Sequence, residues 1–194
     1  MAKLTPKDFL ITYYPYAFKV EVEENIPALA IITRAAIEIG YDPEKAPGNN
    51  FFGIKDTDGI NGNEQLVDTY EDMKTPLAKF PVIKSVKQLT ATVWRYFIKD
   101  YFRKYATPYD SFKGFAQFLK QNSRYSTCLS IKDPVLFSTC ICKQGYATDI
   151  NAVKLAEDVS KMFVVLYNAN QNKLQSHVTI NIPPIDNSIK GNQS

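Results

Sequence analysis

Histidine is nearly absent from this 194-residue chain, His177 being the only one. Zinc hydrolases need two or three histidines with a carboxylate at set spacing, so a zinc amidase or zinc peptidase is not expected, and no cofactor is expected. Cysteine is also scarce. Cys128, Cys140 and Cys142 are too few and too late in the chain for a disulfide framework, and reduced thiols are expected. No apolar run approaches the roughly 20 residues that cross a bilayer, so no membrane insertion is expected. A signal-type apolar core is missing too: Phe9 to Phe18 is interrupted by Pro15 and hydroxyl groups. Ala28-Leu29-Ala30 looks like a signal-peptidase site, but the acidic stretch Glu21-Val22-Glu23-Glu24 precedes it, and the expectation is a chain without an export signal. Neither charge dominates. Twenty-three Lys and Arg against twenty Asp and Glu leave +3, too little to argue for nucleic acid, although mild basicity suits a polyanionic polymer. No repeat, glycine-rich phosphate loop or heptad run is present.

What is present is enough apolar material for a core: 45% hydrophobic residues against 22% charged. This size and balance fit one domain over residues 1–167 and a loosely attached tail over 168–194, where Asn and Gln accumulate before Pro183-Pro184. Thr5 and Pro6 open a helix over 5–24 that Pro15 is expected to kink or split. A second helix runs from Ala28 to Ile39, apolar on nearly all sides, and stops at Gly40. Residues 41–62 form a long turn-rich loop. Gln65–Tyr70 and Thr92–Tyr105 are the expected strands of a small antiparallel lobe, with the segment between them unassigned. Helices follow over Ser111–Lys120, from Pro134 to Gly145, and over Asn151–Leu166, capped by Asp149; Val178 to Ile180 offers a further short strand.

Two charges interrupt the apolar second helix, Arg34 and Glu38, four residues apart. They read equally well as a surface ion pair or as a carboxyl at the edge of an apolar wall, which is how a general acid keeps its proton.

Four stretches then stand in order: Ala35-Ala36-Ile37-Glu38-Ile39-Gly40, Asn49-Asn50-Phe51-Phe52-Gly53-Ile54-Lys55, Tyr109-Asp110-Ser111-Phe112 and Gly145-Tyr146-Ala147-Thr148-Asp149. Together they resemble the bacterial glucosaminidases of glycoside hydrolase family 73, the mannosyl-glycoprotein endo-β-N-acetylglucosaminidase-like domains of flagellar peptidoglycan hydrolases and autolysins. The resemblance covers roughly residues 8–165. It implies an α+β, mainly α, lysozyme-like fold with a small antiparallel β-lobe. The activity it implies is hydrolysis of the β-1,4 bond after N-acetylglucosamine in peptidoglycan glycan strands, with Glu38 as general acid. The family's second carboxylate falls near Glu71, with Asp68, Glu64 and Asp72 as competitors, and the sugar's own 2-acetamido group offers a route that needs no second carboxylate. Tyr146 and Tyr125 match positions that would touch substrate, with core packing the competing view for Tyr146, and Asn50 either positions the loop or donates to substrate. Phe52 and Gly53 shape the loop, and Phe51, Tyr41 and Trp94 are candidate sugar platforms or core.

The chain departs from the family pattern at Ile39, Tyr41 and Ile150, where serine, tryptophan and proline are usual, and at Arg34, where glutamine is common. Its hairpin from Asp72 to Tyr101 is also long. A muramidase or lytic transglycosylase on the same fold, a non-catalytic wall-binding module, and a cysteine peptidase pairing one of the cysteines with His177 are the competing readings. The resemblance also implies action at the cell wall or periplasm, reached by phage holin release or specialised secretion, with a lysis or secretion-system partner.

Overall fold

The computed structural model describes residues 3–147 and 149–181, the side chains of the last three excepted. Five α-helices and a three-stranded sheet account for most of it: α1 (Pro6–Glu24), α2 (Ala28–Ile39), β1 (Glu64–Met73), β2 (Val82–Thr90), β3 (Val93–Arg103), α3 (Pro108–Gln121), α4 (Pro134–Lys143) and α5 (Ala152–Asn181).

Helix α1 starts as its sequence dictates, with Thr5 Oγ1 accepting from the Asp8 amide at 3.1 Å and Pro6 in the first turn. Pro15 does not split it. The proline removes one backbone hydrogen bond, but the ring lies buried among Leu10, Ile11, Tyr13 and Tyr14, and packing on both sides holds the helix together. Helix α2 is the centre of the body. Ala28, Ala30, Ala35 and Ala36 are buried on it, letting α1, α4 and α5 approach closely, and Gly40 ends it at φ 60°, donating to the Ala36 carbonyl.

The turn-rich loop after α2 is pinned by its own side chains. Asn50 donates to the Ile54 carbonyl at 2.9 Å and accepts from the Ile54 amide at 3.0 Å. Asn49 reaches the carbonyls of Tyr105 and Ala106, and the Phe51 amide donates to Ser111 Oγ at 3.2 Å. The second and third family-like stretches are therefore two halves of one joint. Phe51 and Phe52 seal it against α3, with the Phe52 and Phe115 rings stacked at 4.2 Å.

The sheet has the order β1-β3-β2, all antiparallel, with Glu64 opposite Arg103 at one end of β1 and Met73 opposite Trp94 at the other. Strand β2 occupies the segment the sequence left unassigned. It was illegible because it is exposed throughout and two register shifts break its alternation.

Two further expectations fail. The cysteines are not all reduced: Cys128, at the end of a short 3-10 turn (Ser123–Cys128), is bonded to Cys140 on α4, while Cys142 stays a buried thiol. Cysteine count says nothing about which two side chains the packing of a turn on a helix brings together. Nor does the chain loosen at residue 168. Helix α5 continues through a local break at Asn170, where the side chain donates to the Leu166 carbonyl, and Leu174 beyond the break is fully buried. Leu166 before the break and Leu174 and Val178 beyond it pack on the body, and these few apolar contacts outweigh the polar composition around them. Val178 to Ile180 is accordingly helix rather than strand, and Pro183-Pro184 lies outside the described residues.

Candidate active site

A cleft of about 820 Å³ runs between the helical body and the β-lobe. The last turn of α2 delivers Glu38 to its floor, the loop supplies Phe52 to Lys55, α3 presents Lys113, Gln117 and Gln121, and Tyr125 and Tyr146 close one side. A smaller cavity of about 170 Å³ continues along β1, lined by Gln65, Val67 and Thr69, and Glu38 borders both. Glu38 therefore sits where the two cavities meet.

Its side chain is 31% exposed. Arg34, one turn earlier on α2, donates to Glu38 Oε1 from both Nε and Nη2, so both bonds fall on one carboxylate oxygen and leave Oε2 outside the pair. Arg34 is itself buried: its guanidinium lies 4.7 Å from the centre of the Tyr146 ring, and Nη1 is 4.0 Å from Cys142 Sγ. The pair is thus more than the surface contact its spacing suggests. Burial of the Tyr146 hydroxyl, reinforced by the Glu38 charge, pushes its ionisation well above the ordinary tyrosine range, so it remains a neutral donor beside the carboxylate.

Tyr146 is positioned by the glycine before it. Gly145 takes φ 85° just past α4, and the Tyr146 amide then donates back to the Ile141 carbonyl at 3.1 Å. Its ring meets Phe115 at 5.6 Å, Phe118 at 6.2 Å and Tyr125 at 6.1 Å. In the third stretch, Asp110 completes a capping box with Thr107 at the start of α3, and Ser111 holds the Phe51 amide.

The second carboxylate is less simply placed. Along β1 the residues Gln65, Val67, Thr69 and Glu71 share the face that walls the smaller cavity, whereas Glu64, Asp68 and Asp72 alternate to the other face. Glu71 is the only candidate on the cleft row, but it lies beyond the cavity's end, with Lys55 Nζ 2.7 Å from its Oε1. Lys55 is also 2.9 Å from Asp100. Partial burial alone would lower the Lys55 ammonium, yet the bonds to Glu71 and Asp100 prevail and raise it. Asp68 borders the smaller cavity but pairs with Lys84 at 2.5 Å; Asp72 pairs with Arg95 at 2.7 Å; and Glu64 accepts from the Asn61 and Gly62 amides.

Other expected site residues resolve into packing. Asn50 borders the smaller cavity, but it is 5% exposed with its amide bonded to Ile54 at both ends, so it shapes the loop. Phe51 is core, and Tyr41 packs its ring against Phe9 at 5.6 Å and Phe163 at 6.3 Å. Trp94 sits at the far end of β3 opposite Met73. Of the cysteines, two are bonded and burial raises the Cys142 thiol, which leaves no nucleophile for a peptidase. The polar stripe on α3, Lys113, Gln117 and Gln121, went unrecognised although its spacing of four was visible.

A helical body and a short antiparallel lobe with a cleft between them make a lysozyme-like fold. The family model for glucosaminidase, mannosyl-glycoprotein endo-β-N-acetylglucosaminidase, matches residues 14–163, and the chain belongs to that family. It is 28% identical over 151 residues to the peptidoglycan hydrolase FlgJ of Vibrio parahaemolyticus, covering 75% of this chain and 43% of that protein. The FlgJ of Pseudomonas aeruginosa is likewise 28% identical, over 73% of this chain and 33% of the relative, so the chain spans less than half the length of either. Among solved structures, the glycoside hydrolase domain of Salmonella typhimurium FlgJ matches with a TM-score of 0.64 at 18% identity, covering 90% of this chain and 98% of that one. The catalytic domain of the Listeria monocytogenes autolysin Auto matches at 0.58 and 20%, covering 91% and 90%.

Proposed function

We propose that this chain hydrolyses the β-1,4 bond after N-acetylglucosamine in peptidoglycan, with Glu38 as general acid. The observation that carries the reading is the position of Glu38, 31% exposed, as a lining residue of both cavities, with both bonds from Arg34 falling on one carboxylate oxygen. Oε2 carries the proton to the leaving glycosidic oxygen. Tyr146 and Tyr125 line the same cleft, and the neutral Tyr146 hydroxyl is suited to hold the 2-acetamido group.

Two routes remain for the opposite side of the sugar. Glu71 on the cleft row of β1 acts as base or nucleophile if the lobe brings it to the anomeric carbon. Glu71 itself lines neither cavity and its Oε1 is paired with Lys55, which favours the alternative in which the acetamido oxygen attacks and one protein carboxyl suffices. The reaction takes place at the wall or in the periplasm, where the Cys128–Cys140 bond persists, with holin release or a specialised secretion partner as the delivery route.

Purified peptidoglycan is incubated with the parent protein and with Glu38→Gln, and released reducing ends are identified by mass spectrometry. N-acetylglucosamine ends from the parent alone support the reading. N-acetylmuramic acid ends identify a muramidase, anhydro ends a lytic transglycosylase, and no ends a binding module; each overturns it.

A further inference from the structure

Burying a guanidinium costs free energy unless its donors find partners, and on α2 they find them in one place. Arg34 is 7% exposed, between buried Thr33 and Ala35. Its Nε and Nη2 reach Glu38 in the last turn of α2, its Nη1 lies 4.0 Å from Cys142 Sγ on α4, and its guanidinium lies 4.7 Å from the centre of the Tyr146 ring beyond Gly145. Burial raises both the Cys142 thiol and the Tyr146 hydroxyl, which stay neutral, so Glu38 is the contact that balances the charge. Three separate segments therefore meet on one side chain.

Support runs in one direction through this contact. Tyr146 is anchored without Arg34, by its ring contacts with Phe115, Phe118 and Tyr125 and by its amide bond to the Ile141 carbonyl. Glu38 leans on Arg34: its side chain is 31% exposed and has several rotatable bonds, and the guanidinium supplies two hydrogen bonds that fix its carboxyl. The form of that hold also suits an acid. An arginine fork laid across both oxygens would compete with a proton for them. Here both bonds fall on Oε1, so Oε2 gains and loses a proton while the same two bonds persist.

We propose that Arg34 is the positioning residue of this site, carrying the fixed place of the Tyr146 ring through its guanidinium to the Glu38 carboxyl, so that the acid is held in one orientation before substrate arrives. The proposal rests on the reading of Glu38 as the general acid. A group that orients the proton donor, and does not itself touch the sugar, acts on the rate of the bound complex and not on binding, because misplacement of a reacting group raises the barrier without weakening the remaining contacts. Packing alone would give a different signature: lost stability, with no dependence on whether residue 38 is an acid.

Release of reducing ends from soluble peptidoglycan glycan strands is measured against substrate concentration for the parent, Arg34→Met, Arg34→Lys, Glu38→Gln and the variant carrying both Arg34→Met and Glu38→Gln. Methionine keeps the volume and removes every donor. A fall in kcat of about 10²-fold with KM changed by under about twofold is expected for it. Lysine, with one mobile donor group in place of the planar fork, regains part of the loss. In the Glu38→Gln background the methionine costs under about twofold, since there is no acid left to orient. Should Arg34→Met fail to fold, Arg34→Gln takes its place. A kcat within about twofold of the parent, a loss carried by KM, no gain from lysine over methionine, or the full loss repeated in the Glu38→Gln background overturns the proposal. Parental turnover by Glu38→Gln removes the acid reading and the proposal together, whereas a slow Glu38→Gln beside a fast Arg34→Met removes the proposal alone.

Discussion

The body and the lobe are held together by different means. In the body, Phe9, Phe112, Phe115, Phe137 and Phe163 are fully buried around α2, whereas in the sheet only Tyr96 and Ile98 are. The lobe relies on ladder pairing and on ion pairs at its surface, Lys84–Asp68, Arg95–Asp72 and Lys55–Glu71 among them. Apolar burial is additive and insensitive to salt, while exposed ion pairs contribute little and are screened. The residues proposed as the acid and as a sugar contact, Glu38 and Tyr146, are on the body. Glu71, whose role depends on reaching the sugar, is on the lobe.

That contrast can be broken or sharpened by experiment. The largest expected effect is chemical: Glu38→Gln lowers the release of reducing ends by about 10²–10⁴-fold, as loss of a general acid does, with the melting temperature retained. Next, Phe115→Ala removes the ring between Phe52 and Tyr146 and costs about 3–5 kcal/mol in chemical denaturation, with activity lost alongside. Cys140→Ser opens the link between the 3-10 turn and α4 and costs about 2–3 kcal/mol; denaturation of the parent with and without reductant checks the same quantity. Glu71→Gln discriminates between the two routes. A loss under about tenfold supports attack by the acetamido group, and one near the Glu38→Gln loss assigns Glu71 the second role. The smallest effect belongs to the lobe surface: Asp72→Ala breaks the pair with Arg95 and leaves the melting temperature where it was. A marked drop there would mean the lobe depends on its ion pairs more than exposure allows.

Legibility in the sequence followed the same division. Helix α2 was readable to its ends because an apolar run between Pro27 and Gly40 has few alternatives. Helices α1 and α4 announced themselves through Thr5 and through Asp133 with Pro134, which cap or open them in the structure, whereas α3 was read from apolar spacing as Ser111–Lys120 and begins a turn earlier, at Pro108 behind the Thr107 cap. Strand β2 did not, since an exposed edge strand with shifted register leaves no burial pattern to read. The second half of α5 was hidden by its Asn and Gln content, and only docking of Leu174 reveals why it holds. Glu38 was legible as an unusual charge on an apolar helix. The Tyr146 ring under Arg34 was not, because the two residues lie 112 positions apart.

Local chemistry along the chain was thus enough to determine the helices up to Leu166, the turn-rich loop and the acidic residue at the end of α2, because caps, prolines and apolar spacing act over a few residues. Only the tertiary structure decided which cysteines join, that α5 packs on past residue 168, which face of β1 walls the smaller cavity, and that Arg34 holds one oxygen of Glu38. Those depend on how distant segments meet, and no short-range pattern encodes a distance in space.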